Sequence, residues 1–129
     1  MAAPSPIVEI TVHAGPLQLW AAARRIGDDV VVAVGGGDRP HVGCVVLAQP
    51  HASTADPERP SSTSSVLVIP PHRDDAIART VAEALSRGLG IAVVVTAGVH
   101  TDNLDARGIA TYRRLAARLA AKLLAALRR

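Results

Sequence analysis

The amino-acid sequence predicts one α/β domain: a single mixed sheet of about six strands with two main helices. The sheet begins as an N-terminal antiparallel meander and ends in a β-α-β unit. β-Branched runs separated by turn residues fill the first half of the chain, and two stretches of helical apolar spacing follow in the second half. Because 129 residues can bury a core without a further domain, we treat residues 1–129 as a single domain.

Strands are predicted at four places in the first part of the chain. Residues 7–12 alternate and are β-branched, and a turn cluster at 13–16 follows them. Residues 17–26 alternate as a strand does, although their alanines would also suit a helix. Residues 30–34 are the most strongly β-branched of these runs, and residues 41–47 form the fourth strand.

Three successive glycines at 35–37 follow the third strand. A phosphate-binding loop is one interpretation, but residues 38–40 lead into a strand instead of a helix, and no GxGxxG or GK[ST] pattern is present. A tight, exposed hairpin turn is therefore favoured. Gly43, inside the next strand, indicates a bulge or a close approach of backbone.

Residues 48–63 are rich in Ser, Pro, Asp and Thr and lack apolar periodicity, which predicts a long loop that could act as a flap. A short strand is predicted at 65–69. Apolar residues at a four-residue spacing predict a helix over about 74–87, with Gly88 at its end. The very apolar run at 91–96 predicts a central strand covered on both faces.

A second helix is predicted to run to about residue 127, with Asp102 or Asn103 as its N-cap. Its apolar residues form one stripe along the helix: Ile109, Tyr112, Ala116, Leu119, Leu123 and Leu127. Half of the chain's 14 basic residues lie after residue 106, so the net charge of +3 belongs mainly to one face of this helix. A solvated face is the favoured interpretation, and an acidic partner or nucleic acid the alternative. With Trp20 and Tyr112 as the only aromatic residues, we expect no nucleic-acid partner.

Cys44 is the single cysteine, so it cannot form an intrachain disulfide, and a reducing compartment is expected. The N-terminal residues do not resemble a signal peptide, and no apolar run is long enough for a membrane span. We therefore expect a cytoplasmic protein with no membrane partner. Cys44 is interpreted as a buried apolar residue, and a nucleophilic role is the alternative.

Histidines from separate segments are predicted to meet at one edge of the sheet. If the early strands form a meander, then His13, the glycine turn and His41 lie at the same edge. A strand-helix-strand unit makes the fifth and sixth strands parallel, so His72 and His100 share an edge independently of the meander. Helix N-termini lie there too, which suits an anion such as phosphate.

Three segments resemble the small prenylated-flavin chaperones, LpdD-like, that accompany UbiD-type decarboxylases. These segments are His41 with Gly43, residues 71–75 and residues 97–103. The resemblance covers about residues 30–129, in the same order and at similar spacing, and its specific parts are 72–75 and 98–103. Pro71 stands where this family usually has a glycine before the second histidine.

The resemblance implies a non-catalytic chaperone that holds reduced prenylated flavin mononucleotide (prenylated FMN), or plain FMN, and assists its loading into a UbiD-type decarboxylase. It implies a fold like the proteasome-assembly chaperones and a homodimer. Helix N-termini with Arg73 or Arg39 would hold the phosphate, and the histidines would donate to the flavin or share a divalent metal. The candidate cofactor-binding residues are His41, His72, Arg73, Gly98, His100, Asn103, Arg39 and Ser65.

Two alternative functions stay open from the sequence. Three imidazoles, those of His41, His72 and His100, are the inventory of a catalytic zinc site, so a metal-dependent enzyme is one alternative, although no HExxH or similar short spacing is present. A purely protein-binding assembly factor is the other. No residue is assigned as catalytic, because the acidic residues at the edge have simpler roles in turns and helix starts; these are Asp38, Asp74, Asp75 and Asp102.

Overall fold

A computed structural model describes residues 3–71 and 74–128. The strands are β1 (Val8–Ala14), β2 (Leu17–Ile26), β3 (Asp29–Gly37), β4 (Cys44–Ala52), β5 (Pro60–Val68) and β6 (Val93–His100), and the helices are α1 (Asp75–Leu89) and α2 (Ala106–Leu127). In this part of the chain the six strands form one sheet in the order β1-β2-β3-β6-β4-β5. The prediction of a single mixed sheet with two main helices is confirmed.

The last strand enters the middle of the sheet. β6 pairs parallel to β3 and antiparallel to β4, and its residues Val93 and Val95 are fully buried. The central position predicted for this apolar run is therefore correct, but the predicted cover on both faces is wrong, because Val94 and Thr96 on the face away from the helices are only partly buried. β5 and β6 point in the same direction, as the strand-helix-strand argument requires, but β4 lies between them.

The prediction of a hairpin at residues 35–37 is wrong. These glycines are the last three residues of β3, where Gly36 pairs with Leu19, and β4 does not pair with β3 at all. Glycine is required there by close packing, because a Cβ at Gly35 would overlap the Trp20 ring and one at Gly36 would overlap the β2 backbone. The chain leaves the sheet at residue 38.

The prediction of a loop over residues 48–63 is also wrong in extent. β4 continues to Ala52 and β5 begins at Pro60, so the connection is limited to residues 53–59. The polar residues of β5 find partners on α1: Ser64 Oγ donates to Glu83 Oε1 at 2.8 Å, and Ser62 Oγ donates to the Glu83 carbonyl at 3.4 Å. Hydrogen bonds to a helix thus replace the apolar alternation that the sequence lacks.

Both helices pack on one face of the sheet, α1 against β4, β5 and β6, and α2 against β1 and β2. The buried core is made of Val, Leu, Ile and Ala, with Tyr112 and Cys44. The basic residues of α2 within the described chain are exposed, as expected for a solvated face. None of the described helices is both long and apolar enough to span a bilayer.

The helix ends differ in detail from the prediction. Asp105 is the N-cap of α2, and its carboxylate accepts from the Gly108 N–H at 2.8 Å, so neither Asp102 nor Asn103 has that role. α1 ends at Gly90, which adopts a left-handed conformation (φ 67°), so Gly88 lies within the helix. Both helices nevertheless begin at the edge where β3, β5 and β6 end.

Candidate functional site

The site predicted from sequence corresponds to the upper edge of the sheet, defined here by the ends of β1, β3, β5 and β6 and the starts of both helices. A loop formed by residues 38–43 crosses the end of β6 at this edge. The N–H groups of Asp38 and Arg39 donate to the His100 carbonyl at 2.6 and 3.3 Å, and the His41 N–H donates to the Gly98 carbonyl at 3.3 Å. These backbone hydrogen bonds bring Arg39, His41 and His100 to the same part of the upper edge.

Gly98 makes this crossing sterically feasible. A Cβ at Gly98 would overlap the backbone carbonyl of His41. Gly37, at φ 71°, is likewise packed against the His100 carbonyl in a backbone conformation that favours glycine. The structure thus gives Gly98 a positioning role: it lets the loop at 38–43 lie directly on β6.

An exposed cluster of three charged or ionisable side chains lies at the outer side of this edge. Arg39 Nη2 lies 2.8 Å from Asp102 Oδ1 and 2.7 Å from His100 Nε2, and His100 Nε2 lies 2.8 Å from the same Asp102 oxygen. The hydrogen bond from His100 and the positive charge of Arg39 lower the pKa of Asp102 below its ordinary value. The three side chains therefore form a connected network that faces solvent.

A second pair, His41 with Asp74, is more deeply placed. His41 Nε2 approaches Asp74 Oδ2 at 3.2 Å, and His41 Nδ1 lies 3.0 Å from the Arg39 carbonyl. The other carboxylate oxygen of Asp74 accepts from the Val99 N–H at 3.2 Å. Asp74 precedes α1 but makes no side-chain capping bond there, so its carboxylate serves the edge instead of the helix.

Gly43 and Cys44 lie next to the pair formed by His41 and Asp74. A Cβ at Gly43 would overlap the Asp74 carboxylate and would lie 3.2 Å from the Ala97 carbonyl, so this glycine is closely packed as predicted, but it precedes β4 instead of lying inside the strand. Cys44 is fully buried, and burial, followed by the negative charge of Asp74, raises the pKa of its thiol to about 11. A thiol held neutral in this way is a poor nucleophile, in agreement with the interpretation of Cys44 as a buried apolar residue.

A pocket of about 670 Å³ lies on the helix side of the upper edge, between the starts of α1 and α2 and the end of β6. We call it the helix pocket. Its lining residues are Pro71, Asp74, Ala76, Ile77, Val99, His100, Thr101, Leu104, Ile109, Tyr112 and Arg113. The Tyr112 and Thr101 hydroxyls are hydrogen-bonded to each other at its wall. Asp74 belongs both to this pocket and to the contact with His41.

Other predicted residues are placed less centrally. Asn103 lies in the turn before α2 with a left-handed backbone (φ 58°), a conformation that asparagine tolerates better than most residues. Ser65 is exposed in the middle of β5, in register with Leu47 and Val94, so it does not join the cluster at the end of β6. His13 lies at the end of β1, where its carbonyl accepts from Arg118. His72 and Arg73 lie outside the described residues.

The structure therefore adds residues that sequence reasoning missed. Asp74 was interpreted as a helix-start residue, and Tyr112 and Ile109 as members of an apolar helical stripe. The sequence contains one signal for the role of Asp74, the Asp-Asp pair at 74–75. A single carboxylate is enough for a helix start, so the other is available for a different contact. Among the residues that the structure describes, no group of three His, Cys, Asp or Glu side chains forms a metal site.

Comparisons with known proteins identify the family. The model of the prenylated flavin chaperone LpdD-like domain matches residues 13–128. The chain belongs to this family. Protein LpdD of Lactiplantibacillus plantarum is 28% identical over 93 residues, which is 72% of this chain and 65% of that protein. The match thus covers less than two thirds of the length of this relative.

The fold of this family member also occurs in proteasome-assembly chaperones. A solved structure described as a novel chaperone complex for yeast 20S proteasome assembly matches with a TM-score of 0.61, covering 94% of this chain and 95% of that one. At 16% identity this likeness concerns the fold alone. It confirms the expectation of a proteasome-assembly-chaperone-like architecture.

Proposed function

We propose that this LpdD-like chaperone binds reduced prenylated FMN at the upper edge and assists its loading into a UbiD-type decarboxylase, without catalysing a reaction itself. The family membership carries this proposal. It assigns ligand contact to Arg39, His41, His100 and Asn103 and a positioning role to Gly98. It also keeps His72 and Arg73 as candidate ligand contacts.

The described residues fit a flavin mononucleotide chemically. Arg39 exposes most of its side chain at the edge, and a guanidinium pairs well with a phosphate. The first turn of α1 receives no cap from the Asp74 side chain, so its N–H groups favour an anion. The adjacent helix pocket has the size of a cofactor site, on the order of 300–1,000 Å³, and mainly apolar walls.

The chemistry of the edge suits a protein that holds a cofactor. His41 and Asp74 are held by neighbouring backbone groups: the Arg39 carbonyl lies 3.0 Å from His41 Nδ1, and the Val99 N–H donates to Asp74 at 3.2 Å. The buried Cys44 thiol stays protonated at neutral pH. A rigid set of donors and acceptors beside an apolar pocket binds and orients a ring system, and it keeps water from one side of it.

An anaerobic titration with reduced prenylated FMN tests this proposal. We expect the native protein to bind it and His41→Ala to bind about ten-fold more weakly, as loss of a hydrogen-bonding group to a ligand can cause. His51→Ala is the matched control, since His51 lies at the opposite end of β4, where it contacts Thr63. We expect His51→Ala to bind like the native protein.

Transfer is tested separately by mixing the loaded chaperone with an apo decarboxylase of the UbiD type and following the flavin absorbance of the repurified enzyme. We expect faster loading than with the free flavin. Failure of the native protein to bind either prenylated or plain FMN would overturn the proposal. Stoichiometric zinc in the purified protein, together with hydrolytic activity, would favour a metal-dependent enzyme instead.

We further propose that the chaperone is a homodimer that pairs through the sheet face opposite the helices. The strand registers place Ala22, Ala33, Thr96, Val45 and Leu67 in one row across that face. The next row is Arg24, Val31, Val94, Leu47 and Ser65. Several of these apolar side chains are exposed, Leu67 to 74%, and a second copy would cover them.

A further inference from the structure

The walls of the helix pocket are mainly hydrocarbon and come from separate elements. Ile77 belongs to α1, Val99 to β6 and Ile109 to α2. Ile109 is 48% exposed, whereas later members of the same helical stripe, such as Leu119 and Leu123, are fully buried. A half-exposed isoleucine at a pocket contributes binding free energy when an apolar ligand group covers it.

The polar groups at this pocket are already engaged with the protein. Tyr112 is 3% exposed and its hydroxyl is paired with Thr101. Asp74 is directed to His41 and to the Val99 N–H. The inner part of the pocket therefore offers apolar contact and a fixed shape, while Arg113 adds a positive charge at α2. Such a pocket suits a hydrocarbon group attached to a polar, anionic molecule.

We propose that the helix pocket holds the isoprenoid-derived part of prenylated FMN, and that Ile109 is a residue that determines the preference for prenylated over plain flavin. The inference rests on the proposed function. Asp74 connects the two sites, because it lines the pocket and contacts His41. The helix pocket thus offers an apolar surface for the extra hydrocarbon group directly beside the upper edge.

Ile109→Ser tests this inference through binding alone. The variant replaces an apolar contact with a polar one at a half-exposed position, so the core stays intact. We expect the affinity for reduced prenylated FMN to fall about ten-fold or more, because one or two lost apolar contacts in a pocket commonly have this effect. We expect the affinity for plain reduced FMN to change by less than about two-fold, since that ligand lacks the isoprenoid carbons.

Ile7→Ser is the matched control. Ile7 is 51% exposed and precedes β1, whose end, not whose start, lies at the upper edge. This variant should bind both flavins like the native protein, and thermal unfolding of both variants verifies that they fold. Ile109→Trp tests the same inference by adding bulk instead of removing an apolar contact. The larger side chain should fill the pocket and exclude prenylated FMN, while plain FMN still binds.

The outcomes separate the two proposals. If the native protein binds neither flavin, the proposed function itself fails. If it binds prenylated FMN but Ile109→Ser weakens both flavins equally, the pocket holds a part common to both, and the assignment of the isoprenoid group is wrong. Unchanged binding of both flavins by Ile109→Ser and Ile109→Trp would show that the pocket is not used.

Discussion

Asp102 joins the loop after β3 to the end of β6, since it contacts both Arg39 and His100 at 2.8 Å. Its backbone N–H also donates to the Asp38 carboxylate at 3.2 Å, so the backbone of Asp102 is held to the same loop. The contacts are exposed to solvent, where ion pairs contribute little to stability. Their effect is therefore on the orientation of Arg39 and His100, the groups proposed to meet the ligand.

We predict that Asp102 titrates below the ordinary carboxyl value of 3.8. The hydrogen bond from His100 is the main cause and the charge of Arg39 the next, so His100→Ala should raise the pKa of Asp102 more than other single changes at the edge. Because the pKa of Asp102 is lower in the folded protein than in the unfolded chain, its ionised carboxylate stabilises the fold above pH 3.8. This stabilisation is lost as pH falls through the lowered pKa.

Carboxyl-carbon NMR of the native protein and of His100→Ala measures this titration. Arg59→Ala is the control, because Arg59 lies at the other end of the sheet beside Asp56 and Ser53. It should leave the titration of Asp102 unchanged. A native Asp102 that titrates at the ordinary value would contradict the network described here.

At the residue scale, sequence alone could name His41 and His100 but not their partners. The direction of β6 follows from connectivity, which places His100 at the edge. The placement of His41 depended on a hairpin between β3 and β4; these strands are not paired, although β4 does begin at this edge. The contact between His41 and Asp74 depends instead on how the loop at 38–43 folds over β6, which no periodicity encodes. Ser65 is not part of the cluster, because it lies in the middle of β5, in register with Leu47.

At the element scale, the crossing of the 38–43 loop over β6 is the feature that assembles the site. We predict that Gly98→Ala destabilises the protein by about 1–3 kcal/mol, because the added methyl group overlaps the His41 carbonyl and the loop must move. Denaturant unfolding measures this loss. Hydrogen exchange should show faster exchange of the Asp38 and Arg39 amides, whose acceptor is the His100 carbonyl.

Thr96→Ala is the matched control for this change, since Thr96 lies two residues earlier in β6 on the same face and outside the crossing. It should leave the exchange of both amides unchanged. An unaltered unfolding midpoint for Gly98→Ala would mean that the loop does not rest on β6 as described, and the positioning role of Gly98 would be wrong.

Elements with strong patterns were predictable, and elements held by tertiary contacts were not. The runs at 30–34 and 91–96 are dense in valine, and both are strands in the core. By contrast, β5 is largely Ser and Thr, and it is a strand because it pairs with β4 and because Glu83 accepts its hydroxyls. Likewise, the glycines at 35–37 continue β3 in close contact with other elements: the Trp20 ring lies on Gly35, the β2 backbone on Gly36 and the His100 carbonyl on Gly37.

At the scale of the whole molecule, the sheet is covered on one face and open on the other. The core lies between the sheet and both helices. Sequence patterning could predict the covered face, since alternate residues of β2, β3 and β4 are buried. The same patterning shows apolar residues on the opposite side of these strands, and an apolar sheet face of this kind indicates an interaction surface.

The dimensions of the open face agree with those of a dimer interface. Six strands spaced about 4.8 Å apart, each several residues long, span on the order of 700 Å². A stable interface buries about 800 Å² on each partner. Glu9 and Arg24 supply opposite charges at one side of the face, whereas its centre is uncharged, so two identical copies do not repel each other there.

We predict that the double variant Leu47→Lys with Leu67→Lys sediments as a monomer at concentrations where the native protein sediments as a dimer. Both leucines are exposed on the open face, at 37% and 74%, and two buried ammonium groups on each copy would oppose pairing. Ile109→Lys, on the helix side of the molecule, is the control and should leave the dimer intact. A native protein that sediments as a monomer throughout, or a double variant that still dimerises like the native protein, would exclude this face as the site of pairing.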